Sequence, residues 1–333
     1  MLKGSSRASN RVKGIIVGIV VVVVVIVILA SGALGMLSTA LGTQPNPVVT
    51  RTQSGLVTSD SLITGNSKSW TFSAYSANET ANYLHVENSS GLYLGAQSPK
   101  SGVWAGFYAV QPGNNAEVYH AALTLPYSTI SNGSFNTGLY VQTTKHPVNY
   151  VSCGAGVNQQ GYYWQVVVGV GDALQASNFQ VLYFQWNNQS LTRDCTIITN
   201  GANLLTVYLG STMVYSNSSM NLQMPAPFNV YLAVGTTSAT RILHGVFRDY
   251  YATLGDTITV TKAPQGGTVK ILDSSNNTIT SVSVGANGEA TIPMATYLAP
   301  QSGYIQVYYS TGKLMASTSS VTALWGGDTY SVT

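Results

Sequence analysis

Between Phe228 and Val234 the chain reads FNVYLAV, and between Ile242 and Tyr250 it reads ILHGVFRDY. Apolar and polar residues change places along both segments with the period of two that sends successive side chains to opposite faces of a strand. Similar stretches recur upstream at Trp70–Tyr75, Tyr83–Val86, Val103–Val110, Glu117–Leu123, Gly138–Thr143, Tyr162–Gly169, Phe179–Trp186 and Leu204–Tyr208. Turn formers stand between them at Pro112-Gly113-Asn114-Asn115, Ser131-Asn132-Gly133 and Asn200-Gly201. Ten or more strands with no helix-period segment among them predict a large antiparallel sandwich over residues 66–253.

The composition agrees with an all-β chain. Of 333 residues only 8% are charged, and Gly, Ser, Thr, Asn, Val and Tyr are abundant, which suits strands and tight turns better than surface helices. The formal charge of +3 is concentrated before the hydrophobic run, in Lys3, Arg7, Arg11 and Lys13. The remainder is near neutral and has no basic stripe, so nucleic acid is not an expected partner.

From Gly14 to Gly42 no charge interrupts GIIVGIVVVVVVIVILASGALGMLSTALG, a run longer than the roughly 20 residues a bilayer core requires. Basic residues precede it, so residues 1–13 are expected in the cytoplasm and everything beyond residue 45 outside. Three fates fit: an uncleaved signal anchor, cleavage after the small set Ser31-Gly32-Ala33, or processing after Gly14. The third rests on Lys13-Gly14-Ile15, which with Ile16 and Val17 resembles the class III signal of archaeal type IV pilins and archaellins. That resemblance implies a helix over 14–42 that packs with copies of itself in a filament, and small residues such as Gly18 and Gly35 would allow close packing. Residues 43–65 read as a linker, although Val48-Val49 and Leu56-Val57 could pair with a sheet edge.

Within the sandwich, the run Leu204-Leu205-Thr206-Val207-Tyr208-Leu209-Gly210-Ser211-Thr212-Met213-Val214-Tyr215-Ser216 resembles a strand, tight turn and strand of laminin-G-like and concanavalin-like jelly rolls. Pro227–Gly235 and Gly245–Tyr251 are similar to later core strands of that fold. The resemblance implies a jelly roll whose relatives include lectins, adhesive modules and glycoside hydrolases. Hydrolysis would require two facing carboxylates. The domain's acids, Glu79, Glu87, Glu117, Asp172, Asp194 and Asp249, do not form the Glu-x-Asp-x-Glu strand motif of the hydrolases with this fold, so no enzyme is expected.

A sugar-reading site needs aromatic faces beside amides. The candidates are Tyr162, Tyr163 and Trp164, with Trp186, Asn187 and Asn188; core plugging and turn formation are the competing roles for the same residues. Dispersed His85, His120, His146 and His244, and the absence of clustered carboxylates, predict no metal and no cofactor. Cys153 and Cys195 are expected to form a disulfide in an oxidising compartment. Sequons at Asn78, Asn88, Asn132, Asn188, Asn217 and Asn276 permit glycosylation.

Residues 254–333 carry further short strands and hairpin turns such as Asp273–Asn277 and Ala286–Glu289, and resemble Ig-like or prealbumin-like modules of surface proteins. The resulting expectation is a membrane-anchored surface protein that displays a lectin-like sandwich for adhesion or contact with surface glycans. The alternative is a pilin-like filament subunit self-associating through residues 14–42.

Overall fold

The computed structural model describes residues 47–333 except 64–68, 77–80, 172–177, 188–189 and 295–299. The expected N-terminal helix and the cleavage candidates Lys13, Gly14 and Ile15 lie outside the described residues. Among the described residues no helix is long and apolar enough to cross a membrane. Val48–Thr333 form one compact unit.

The large body is an all-β jelly-roll sandwich of two antiparallel sheets. One has seven strands in the order β11-β10-β9-β8-β15-β6-β3. These are β3 (Thr71–Ser76), β6 (Ala105–Asn114), β8 (Phe135–Thr143), β9 (Asn149–Asn158), β10 (Gly161–Val170), β11 (Asn178–Trp186) and β15 (Phe228–Thr236). The other has the order β14-β13-β12-β7-β16-β5-β4, with β2 paired beside β16. Its strands are β2 (Leu56–Asp60), β4 (Asn82–Asn88), β5 (Gly91–Gln97), β7 (Val118–Thr124), β12 (Thr192–Thr199), β13 (Leu205–Leu209), β14 (Thr212–Asn217) and β16 (Leu243–Thr253).

Alternation builds the core. Phe135, Leu139 and Val141 of β8, Val151, Cys153, Ala155 and Val157 of β9, and Phe228, Val230, Leu232 and Val234 of β15 face inward onto Tyr119, Ala121 and Leu123 of β7 and Cys195 and Ile197 of β12. Cys153 and Cys195 are bonded, joining the two sheets through the middle of this core.

The small body is a two-sheet β-module containing β17 (Thr257–Thr261), β18 (Thr268–Asp273), β19 (Thr278–Ser283), β20 (Ala290–Pro293), β21 (Gln301–Tyr308), β22 (Leu314–Ser317), β23 (Thr322–Leu324) and β24 (Thr329–Val332). Its four-stranded sheet is completed by β1 (Val49–Gln53), in the order β1-β24-β17-β20. Within the stretch read as a linker over 43–65, β1 belongs to the small module and β2 to the sandwich, beginning at the Val49 and Leu56 positions that could pair with a sheet edge. The sandwich is an insertion between the first strand of the module and the rest of it. Sequence periodicity could not reveal this, because β1 is five residues long with one buried side chain, Val49, and finds its partner nearly 300 residues away.

The two bodies meet at a buried acid. Asp328 accepts hydrogen bonds from the Gly55 amide (2.7 Å), the Trp325 amide (3.0 Å) and the Tyr330 hydroxyl (3.2 Å), and pairs with Arg51 at 3.1 Å. Arg51 also donates to Tyr330 Oη and to the Ala323 carbonyl. Gly55, between β1 and β2, lies so close to this turn that a Cβ there would fall 2.1 Å from the Gly326 carbonyl oxygen. No side chain fits that approach.

Candidate functional site

The outer face of the seven-stranded sheet is the aromatic surface of the sandwich. Register aligns its outward residues in rows that run across the strands. One row contains Trp186, Tyr163, Gly156, Asn136, Gly235, Gly106 and Tyr75, and the next contains Phe184, Gln165, Gly154, Gly138, Ala233, Tyr108 and Ser73. Beyond them lie Val181, Val167, Ser152, Tyr140 and Tyr231, and then Phe179, Gly169, Tyr150, Gln142 and Asn229.

The glycines are the floor on which rings lie. A Cβ on Gly156 would sit 2.3 Å from Cζ of Tyr163, one on Gly169 2.3 Å from the Tyr150 ring, and one on Gly235 1.9 Å from the indole of Trp104. These rings consequently rest flat on backbone, where any larger residue would lift them. At the open end, Tyr163 and Phe184 stack with centroids 4.9 Å apart, and Trp186 meets both edge-on at 5.1 and 5.3 Å. Phe184 and Trp186 keep 43% and 37% of their surface in solvent, and Phe179 on the same strand keeps 56%. Large rings left this exposed along an edge strand form a patch that is available for contact. Polar groups punctuate the face: Tyr163 donates to Asn136 Oδ1 at 2.9 Å, and Asn229 Nδ2 donates to Tyr231 Oη at 3.3 Å.

Strand alternation separates the residues singled out in the sequence. Tyr163 and Trp186 are neighbours on the outer face. Trp164 points the other way, is 1% exposed in the core and donates its indole N–H to the Ser190 carbonyl at 3.0 Å. Tyr162 packs against the same core. Tyr162 and Trp164 thus lie on the core side of β10 and Tyr163 on its outer face, because adjacent residues of a strand cannot share a face. Asn187 is a turn residue in the left-handed region (φ 44°), whose Oδ1 accepts from the Tyr162 amide at 2.9 Å. Asn188 lies outside the described residues. Phe184, Phe179, Tyr140, Tyr150 and Trp104 were not singled out, because only the pairing register shows that they line one surface. Of the sequons, Asn88, Asn217 and Asn276 are exposed, Asn132 is half-buried, and Asn78 and Asn188 lie outside the described residues.

The strand-borne His, Asp, Glu and Arg side chains of the sandwich are on the other sheet. Ala122 of β7 pairs with Asp194 on one side and Arg248 on the other, while His120 pairs with Thr196 and Tyr251. His120 stacks on Tyr251 at 4.4 Å, and its Nδ1 lies 2.9 Å from Thr196 Oγ1. Burial pushes the imidazole down to about 4 despite the opposing field of Asp249, and it raises the Asp194 carboxyl although Arg248 pulls the other way. Asp249 occupies the bulge of β16 in the left-handed region (φ 52°). No group of three or more His, Cys, Asp or Glu that could hold a metal occurs among the described residues. Glu79 and Asp172 lie outside the described residues.

The sequence matches no family model and no curated protein. Solved structures with a similar fold include a family 16 glycoside hydrolase from a mixed-linkage glucan locus of Bacteroides ovatus, in complex with an oligosaccharide product. It is 11% identical, over 60% of this chain and all of that one, with a TM-score of 0.42. The kappa-carrageenase of Pseudoalteromonas carrageenovora is 12% identical over 64% of this chain and 98% of that chain, at 0.38. The carbohydrate recognition domain of Emp46p is 8% identical over 60% and 95%, at 0.36. Family 16 hydrolases in complex with sugars stand among these structures, where the sequence led us to expect an adhesin or filament subunit and no enzyme. What the chain shares with hydrolase and lectin alike, at these identities, is a concanavalin-like jelly-roll fold.

Proposed function

We propose that the protein acts on polysaccharide, with the sugar chain laid across the outer face of the seven-stranded sheet. The observation that carries this reading is the half-exposed cluster of Tyr163, Phe184 and Trp186 at the end of a glycine-floored aromatic surface. Sugar rings present C–H faces to aromatic rings and hydroxyls to amides, and Asn136, Gln165 and Asn229 stand among the rings. The test is retention in affinity gels cast with soluble polysaccharides, compared with a Phe184→Ala/Trp186→Ala variant. Both side chains are solvent-facing, so the fold should persist while affinity falls at least about tenfold. Retention equal to that of the unaltered protein would overturn the reading.

A second reading concerns bond cleavage and is favoured by Asp194, an accessible acid whose carboxyl burial holds above the usual range. In it, the sugar chain lies instead on the outer face of the partner sheet, where Asp194 gives its proton to the glycosidic oxygen as the C–O bond breaks and Asp249, at the bulge of β16, takes a proton from the attacking water. Asp194→Asn is then expected to abolish release of reducing ends. Unchanged release would exclude Asp194 as the acid.

The N-terminal assignments complete the proposal: residues 14–42 tether the protein to a membrane or filament, as an uncleaved anchor or after processing at Gly14 as in class III signals, unless cleavage after Ala33 releases it, and the small module is an Ig-like spacer. Intact mass of protein taken from its native cells distinguishes a start at Ile15 from a retained leader.

A further inference from the structure

All seven strands of the aromatic sheet lack Asp, Glu, Lys, Arg and His. The partner sheet is different: it carries Asp60, His85, Glu87, His120, Arg193, Asp194, His244, Arg248 and Asp249. Among the described residues, the charged or titratable side chains nearest in sequence to these strands, Lys100, Glu117, Lys145 and His146, lie outside them, while Lys68, Glu79 and Asp172 fall outside the described residues. The segregation is therefore between sheets of one sandwich.

From this, and resting on the polysaccharide reading above, we propose that the aromatic face selects neutral polysaccharide and rejects sulfated and uronic chains. An anionic sugar placed on this face would give up water without meeting a cation. It would also sit over ring faces, whose quadrupole is negative and favours cations. A neutral hexose chain pays neither cost, because its hydroxyls meet amides and its C–H faces meet the exposed rings of Phe184 and Trp186. The phenols do not supply charge later, since burial raises Tyr140, Tyr150 and Tyr163 above the ordinary phenol range. Recognition is then independent of salt and nearly independent of pH, which separates it from electrostatic binding by a cationic groove.

The experiment compares the intact protein on affinity gels of mixed-linkage glucan, kappa-carrageenan and polygalacturonate, at about 10 and 500 mM salt. Expected are retention by the neutral glucan with less than a twofold change in affinity across salt, and no retention by either anionic polymer. Gln165→Lys, which puts one cation between Phe184 and Gly154 in the second row, is expected to admit kappa-carrageenan in a salt-sensitive manner. Retention of an anionic polymer by the unaltered protein as strong as that of the glucan, or a tenfold loss of glucan affinity at high salt, would overturn the selectivity. Should no polymer be retained, or should Phe184→Ala/Trp186→Ala bind glucan normally, the underlying polysaccharide reading fails instead.

Discussion

Asp328→Asn should detach β1 from β24. The carboxylate is buried, and it collects two backbone N–H groups, the Tyr330 hydroxyl and the Arg51 guanidinium. In the amide, Oδ1 can keep the Gly55 N–H, but an NH2 group replaces Oδ2 and faces the Trp325 N–H and the Arg51 donors. One orphaned buried amide costs about 1–3 kcal/mol. Breaking a buried pair from one side costs about 3–5 kcal/mol, and the figure belongs near its lower end because the Arg51 side chain is 30% exposed and partly screened. A loss of about 3 kcal/mol is expected, or a fall of roughly 1–2 M in the urea midpoint. Arg51→Met should cost less, since the carboxylate keeps its three other donors. The discriminating assay is hydrogen exchange: amides of 49–53 should lose protection before those of β8 and β15. A variant within about 1 kcal/mol of the unaltered protein, or exchange at 49–53 no faster than in the sandwich core, would refute the claim that this carboxylate holds the strand.

Three further outcomes follow from the same structure. Replacing Cys153 and Cys195 by Ala opens a cross-link between residues 42 apart in sequence and should cost about 4 kcal/mol by loop-closure entropy, read as a lower denaturation midpoint. His120 is held neutral down to about pH 4, so below its unfolded value of 6.5 the unfolded chain binds the proton that the folded chain refuses; stability should be full above pH 6.5 and decline toward pH 4 by roughly 3 kcal/mol, a slope that His120→Gln removes. Gly156→Ala drives a methyl into the Tyr163 ring and should cost about 1–3 kcal/mol while weakening glucan retention, because Tyr163 must leave the sheet surface and its bond to Asn136.

The all-β class was legible in the sequence, because a period of two survives in any strand with one buried face, and Tyr163 and Trp186 stood out there in two separate aromatic clusters, which only the register of β10 and β11 made neighbours. The sequence overlooked β9, NYVSCGAGVN, whose first nine residues are all buried and whose small residues leave no alternation to read. It also placed Tyr162, Tyr163 and Trp164 together, although a strand separates them onto two faces. Three things were decided only by tertiary structure. Cross-strand register gathered Tyr140, Tyr150, Tyr163, Phe184 and Trp186 onto one glycine-floored surface. The partition of charge between the two sheets emerged only when the strand order was known. The capture of β1 by β24 depended on a pairing between the two ends of the described chain. Local periodicity reports which face of a strand is buried, whereas the identity of the neighbour is set by long-range packing that no window of sequence contains.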